Sequence, residues 1–186
     1  SSFNNSGTNT LLNNTGTMNS ITNSGTINSI TNSGTMTTLN NENVIASLTN
    51  SGTVSSFNNS GTNTLLNNTG TITSLTNSGT ITTLNNLESG LEFSETLPVN
   101  YNVIFRNQGA NYGKLFVTSA SGSTELNIAS ISNVQTGIYN NLITGVSSEK
   151  IVDKTGTLIG NNRSSTGSVS WRLEESSSGS GVWNLD

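Results

Sequence analysis

The chain has no cysteine and no histidine. The first absence removes disulfides, thiol nucleophiles and thiolate metal sites. The second removes Ser-His-Asp and Cys-His catalysis and most zinc sites. Charge is also scarce: 6 Lys and Arg against 10 Asp and Glu make up 9% of 186 residues and leave a net charge of −4. With no basic patch to displace counterions from phosphates, nucleic acid is excluded as a partner. No apolar run approaches the ~20 residues of a membrane-spanning helix, so no direct membrane insertion is expected of this segment. Only 30% of residues are hydrophobic, and there is a single proline. Such a composition is disordered when net charge is high, which is not the case here. The sequence opens at Ser1 without Met or a signal-like segment, and is expected to be an excised or mature piece.

Asn, Ser, Thr and 19 Gly take the place of what is missing. The glycines Gly7, Gly16, Gly25, Gly34, Gly52, Gly61, Gly70 and Gly79 are spaced by multiples of nine, and Asn43 holds the one skipped place. With each of these as position zero, the unit reads Gly-Thr-apolar-polar-polar-apolar-polar-Asn-Ser. Position five is Leu12, Ile21, Ile30, Leu39, Leu48, Phe57, Leu66, Leu75 and Leu84. Position two is apolar except at Asn9 and Asn63. Position seven is always asparagine: Asn14, Asn23, Asn32, Asn41, Asn50, Asn59, Asn68, Asn77 and Asn86.

A fixed period with a Gly corner and β-favouring polar residues excludes helix and predicts stacked short strands. The fold class expected is all-β: a single-stranded parallel β-solenoid of nonapeptide repeats, with irregular C-terminal capping coils. Two apolar residues per unit form a core only as columns running through neighbouring coils at ~4.8 Å. The seventh-position asparagines are expected to stack as a structural ladder. Residues 1–17 recur identically at 55–71, an offset of 54 that suits coils of 18 or 27 residues. Two units per coil fill the narrow tube better, so 18 is preferred, with about ten coils over the chain.

The repeat occupies residues 1–87, and residues 88–186 are expected to hold irregular coils and a cap. Phe93 stays on the position-five register, so the solenoid continues past the boundary. Alternation predicts strands at Val99–Arg106, Lys114–Thr118, Glu125–Ile128, Ser168–Glu174 and Gly181–Asp186. The last two, joined by a Ser/Gly-rich turn, bring Trp171 and Trp183 to the end of the molecule. There they serve either as a cap over the open core or as an aromatic ligand platform.

The segments TGIYNNLITGV (Thr136–Val146), TGTLIGNN (Thr155–Asn162), SWRLEE (Ser170–Glu175) and GVWNLD (Gly181–Asp186) resemble the end of a bacterial autotransporter passenger. The nonapeptides resemble the β-helical stalks of such adhesins. The resemblance implies a non-catalytic stalk and cap of a secreted protein at the bacterial cell surface, located before an outer-membrane barrel. It further implies a monomer whose parent protein meets a host or neighbouring cell surface, or a glycan. A trimeric phage tail-fibre shaft is a structural alternative.

Two other functions have residues to carry them. Position one is Thr8, Thr17, Thr26, Thr35, Thr53, Thr62, Thr71 and Thr80, often followed by Thr at position three. Outward Thr-x-Thr columns, ~7 Å apart along the strand, are similar to the ice-binding face of solenoid antifreeze proteins. Glu88, Glu92 and Glu95 offer carboxylates for glycoside hydrolysis, although no aromatic groove accompanies them. No cofactor or metal is expected, since the units contain no Asp of the calcium-binding nonapeptide.

Overall fold

The computed structural model describes residues 1–106, 111–129, 132, 137–153, 155–159 and 168–186. Parts of two segments quoted above, Thr136 and residues 160–162, lie outside the described residues.

Each repeat forms one seven-residue strand from position one to position seven. The strands are β1 (Ser2–Asn5), β2 (Thr8–Asn14), β3 (Thr17–Asn23), β4 (Thr26–Asn32), β5 (Thr35–Asn41), β6 (Val44–Asn50), β7 (Thr53–Asn59), β8 (Thr62–Asn68), β9 (Thr71–Asn77) and β10 (Thr80–Asn86). Odd strands stack in parallel into one sheet, and even strands into a second. The register is a constant 18 residues, as in Thr35↔Thr53 and Ile27↔Ile45. A coil is therefore two units, and the parallel β-solenoid runs for about six turns.

Positions two, five and seven point inward. Ile27, Ile30, Met36, Leu39, Ile45 and Leu48 are fully buried, and so are most of their counterparts above and below. An inward step from two to five breaks strict alternation, so one residue must fall out of the pleat. That residue is position three, which has no Cα partner in the stacks of β2 to β10.

From Gly25 onward the corner glycines sit in close approach to the coil before them. A Cβ on Gly25 would lie 2.1 Å from the carbonyl oxygen of Gly7, and one on Gly52 would lie 2.1 Å from that of Gly34. None of these glycines, nor Asn43, has positive φ. Asn43 is accommodated by local adjustment. The position-zero N–H reaches an Asn carbonyl at Gly34 and Gly52, but among the described residues Asn43 makes no such bond. Its side-chain amide instead donates to the Ser24 carbonyl at 3.2 Å.

The solenoid continues beyond residue 87, with Phe93 paired to Leu75. Strands β11 (Leu91–Thr96), β12 (Asn100–Val103), β15 (Leu115–Ser121) and β16 (Glu125–Ile128) add two more layers. Between them β13 (Phe105–Arg106) and β14 (Asn111–Tyr112) form a small antiparallel pair. This excursion and the cap consume the residues that would have made ten coils, leaving about six. Strand β17 (Tyr139–Thr144) still pairs parallel to β15. Then the direction reverses: β18 (Thr155–Ile159), β19 (Ser168–Glu175) and β20 (Val182–Leu185) close the sheet as antiparallel neighbours. Four of the five expected strands occur, but the expected Val99–Arg106 strand breaks at Ile104 into β12 and β13, which join different sheets. Strands β14, β17 and β18 had no clear alternation to reveal them.

Candidate functional site

The asparagines at position seven form two interior ladders, one at each corner of the coil. In the first, Asn5, Asn23, Asn41, Asn59 and Asn77 donate amide to carbonyl along the stack at 2.7–2.9 Å. In the second, Asn14, Asn32, Asn50, Asn68 and Asn86 do the same at 2.8–3.0 Å. Seven of these amides, from Asn5 to Asn59, also reach a position-one backbone carbonyl of the next coil, as Asn32 reaches Thr53 at 3.1 Å. Full burial is tolerable because nearly every donor and acceptor is used. Asn5 escaped the sequence count, which began at Gly7, although it lies nine residues before Asn14.

The second ladder ends on a charged group. Glu88 Oε2 accepts the Asn68 amide at 3.3 Å and the Ile72 N–H at 2.6 Å. Burial holds its pKa above the usual carboxylate range, while the two hydrogen bonds pull it down. Asn86 meets the hydroxyl of the fully buried Tyr101 at 3.4 Å, and burial raises that phenol far above its ordinary pKa.

The position-one threonines divide between the sheets. Thr17, Thr35, Thr53 and Thr71 form one unbroken column. Thr8, Thr26, Thr62 and Thr80 form another, interrupted by Val44. Position three, the second half of each Thr-x-Thr, lies at the unpaired residue of the strand. The single flat grid read from spacing is therefore two separate columns.

The three carboxylates do not share a strand face. Glu88 precedes β11 and turns into the corner, whereas Glu92 is exposed on β11, and Glu95 is exposed at φ 78°. Among the described residues, no group of three or more Asp and Glu gathers where it would hold a metal ion.

At the C-terminal end Trp171 and Trp183 are 6% and 2% exposed. They cover the core and present no aromatic platform. The Trp183 indole N–H donates to the Val146 carbonyl at 2.7 Å, tying the last hairpin to the parallel stack. The Glu175 carboxylate braces the Ser/Gly turn by accepting the N–H groups of Gly179 and Gly181 at 3.0 and 2.8 Å. Arg172 pairs with Glu174 on the surface. Beside this cap Phe105, Tyr112 and Tyr139 pack with centroids 4.6–5.7 Å apart.

The fold and these sites define a nonapeptide β-solenoid built on buried amide ladders. Comparison with protein families, with curated proteins and with solved structures finds no match to this chain.

Proposed function

We propose that this chain is a non-catalytic stalk with its cap, part of a secreted cell-surface adhesin of the autotransporter type. The observation that carries this reading is one nearly uncharged parallel stack finished by an antiparallel hairpin bearing Trp183. Such an architecture suits spacing and load-bearing more than chemistry. Lengthwise hydrogen bonds, in two sheets and two ladders, resist extension along the rod. Glu42 is the only charge in the first 87 residues, so the shaft gives trypsin-like proteases no side chain to recognise. In this reading the chain is a monomer on the bacterial surface. Its parent protein contacts a host or neighbouring cell, or a glycan. Antibodies against the chain should label intact cells of the source organism. Labelling that appears only after permeabilisation would overturn the reading.

A second reading, ice binding, is favoured by the unbroken Thr17–Thr35–Thr53–Thr71 column. It is tested by ice-affinity partitioning beside a variant with Thr53→Tyr and Thr71→Tyr, which block one column. Uptake into ice that is lost in a folded variant supports it, and exclusion of the native chain removes it.

A further inference from the structure

We propose that the outer face of the even-stranded sheet carries a groove for a linear, neutral oligosaccharide. The groove follows the sixth positions through five successive strands: Thr49, Asn67, Asn85, Asn102 and Asn127. Its volume is about 700 Å³, within the ~300–1,000 Å³ of small-molecule sites. Four strand steps make it ~19 Å long, enough for about four sugar rings in extended conformation. This goes beyond the stalk reading and stands whether or not that reading holds.

One observation separates this column from ordinary repeat surface, and a second prepares it for a ligand. Beyond residue 87 the chain abandons the interior amides: position seven passes from Asn86 to Val103 and then Ile128. The outer column keeps its amides over the same steps, from Asn85 to Asn102 and then Asn127. Strand propensity does not explain this, because Asn is disfavoured on strand surfaces where Thr or Val would serve. Moreover, the outer amides are already oriented. Asn85 Nδ2 donates to Asn67 Oδ1 at 2.6 Å, and Asn102 Nδ2 donates to Asn85 Oδ1 at 2.7 Å. Each amide has two N–H groups, so a second one remains on Asn85 and Asn102 for a ligand oxygen.

The lining selects the ligand class. It contains no Lys or Arg, so an anionic ligand finds no counter-charge, and the one carboxylate at its end, Glu125, is occupied in accepting the Asn127 amide at 3.1 Å. Thr83 and Asn100 border the column with a hydroxyl and an amide, and the nearly buried Ile128 and Ala129 close its end. Alternating donors and acceptors match the hydroxyls of sugar rings.

The test uses the full chain with cellotetraose, laminaritetraose, β-1,4-mannotetraose and tetra-N-acetylchitotetraose, followed by saturation-transfer NMR and calorimetric titration. At least one should bind the native protein. The double variant Asn85→Thr, Asn102→Thr keeps strand-compatible side chains and should weaken that binding about tenfold. Asn58→Ala should leave it unchanged, since Asn58 pairs with Asn40 on the opposite sheet. Circular dichroism establishes that both variants are folded. Failure of all four tetrasaccharides to bind, or equal affinity in the folded double variant, would overturn the proposal.

Discussion

The side chain most at odds with its surroundings is Asn63. It is fully buried at position two between Ile45 and Ile81, where its Oδ1 has no partner and its amide reaches only the Ile45 carbonyl at 3.4 Å. Replacing Asn63 with Ile should stabilise the fold by about 1–3 kcal/mol, read as a raised denaturation midpoint. Asn50 is the opposite case, with donors and acceptor all used within its ladder. Asn50→Ala should cost about 3 kcal/mol, because it leaves the groups above and below unpartnered. Glu88 makes stability depend on pH. Its folded-state pKa lies above the ordinary value of 4.5, so the folded chain binds the proton more tightly than the unfolded chain does. Its contribution should therefore grow as pH falls from neutral through the raised pKa, and level off below the unfolded value. Chemical denaturation of Glu88→Gln across that range should lack this slope, since Gln does not titrate, while its side-chain oxygen still offers an acceptor to Ile72. At this scale the sequence was readable wherever a residue type recurs every nine places. It was silent on Glu88, a single residue whose role depends on a corner two strands away.

At the scale of the element, the nine-residue unit could be read because it is its own neighbour. Its inward positions two, five and seven were marked by Ile, Leu and Asn in nearly every copy. The unpaired position three could not be seen, since Thr, Asn, Ser and Ala all occupy it and no composition marks a residue outside the ladder. The corner glycines were legible from their nine-residue spacing, but the reason for them was not. Contact with the coil below explains them, whereas a left-handed backbone would have tolerated Asn or Asp widely. Gly52→Ala should accordingly destabilise, because its Cβ would meet the Gly34 carbonyl oxygen and the corner would have to shift, giving up the position-zero hydrogen bond as it does at Asn43. Thermal unfolding of that variant should come at a lower temperature. Beyond residue 87 the elements were harder to read because each strand meets a different neighbour. β16 lay within a clear alternation, whereas β17, which turns from parallel to antiparallel partners, lay in none.

Across the whole molecule, the stack behaves as a one-dimensional array in which each coil touches only the next. Removing one coil, Thr35 to Gly52, should then leave the fold and the cap intact, since Gly34 joins Thr53 in the same register. The threonines named from the sequence as one array belong to two faces, because two units per turn send alternate copies to opposite sheets. That coil size is the claim on which the ladders, the columns and the groove all depend. It can be tested directly, because the chain contains no cysteine to interfere. Thr35 and Thr53 are Cα partners on adjacent strands, at the ~4.8 Å strand spacing that falls inside the range a disulfide spans. The double variant Thr35→Cys, Thr53→Cys should oxidise to an intramolecular disulfide under mild conditions, while Thr35→Cys, Thr62→Cys should remain reduced. A disulfide between positions 35 and 62, with none between 35 and 53, would mean a coil of three units and would contradict the account.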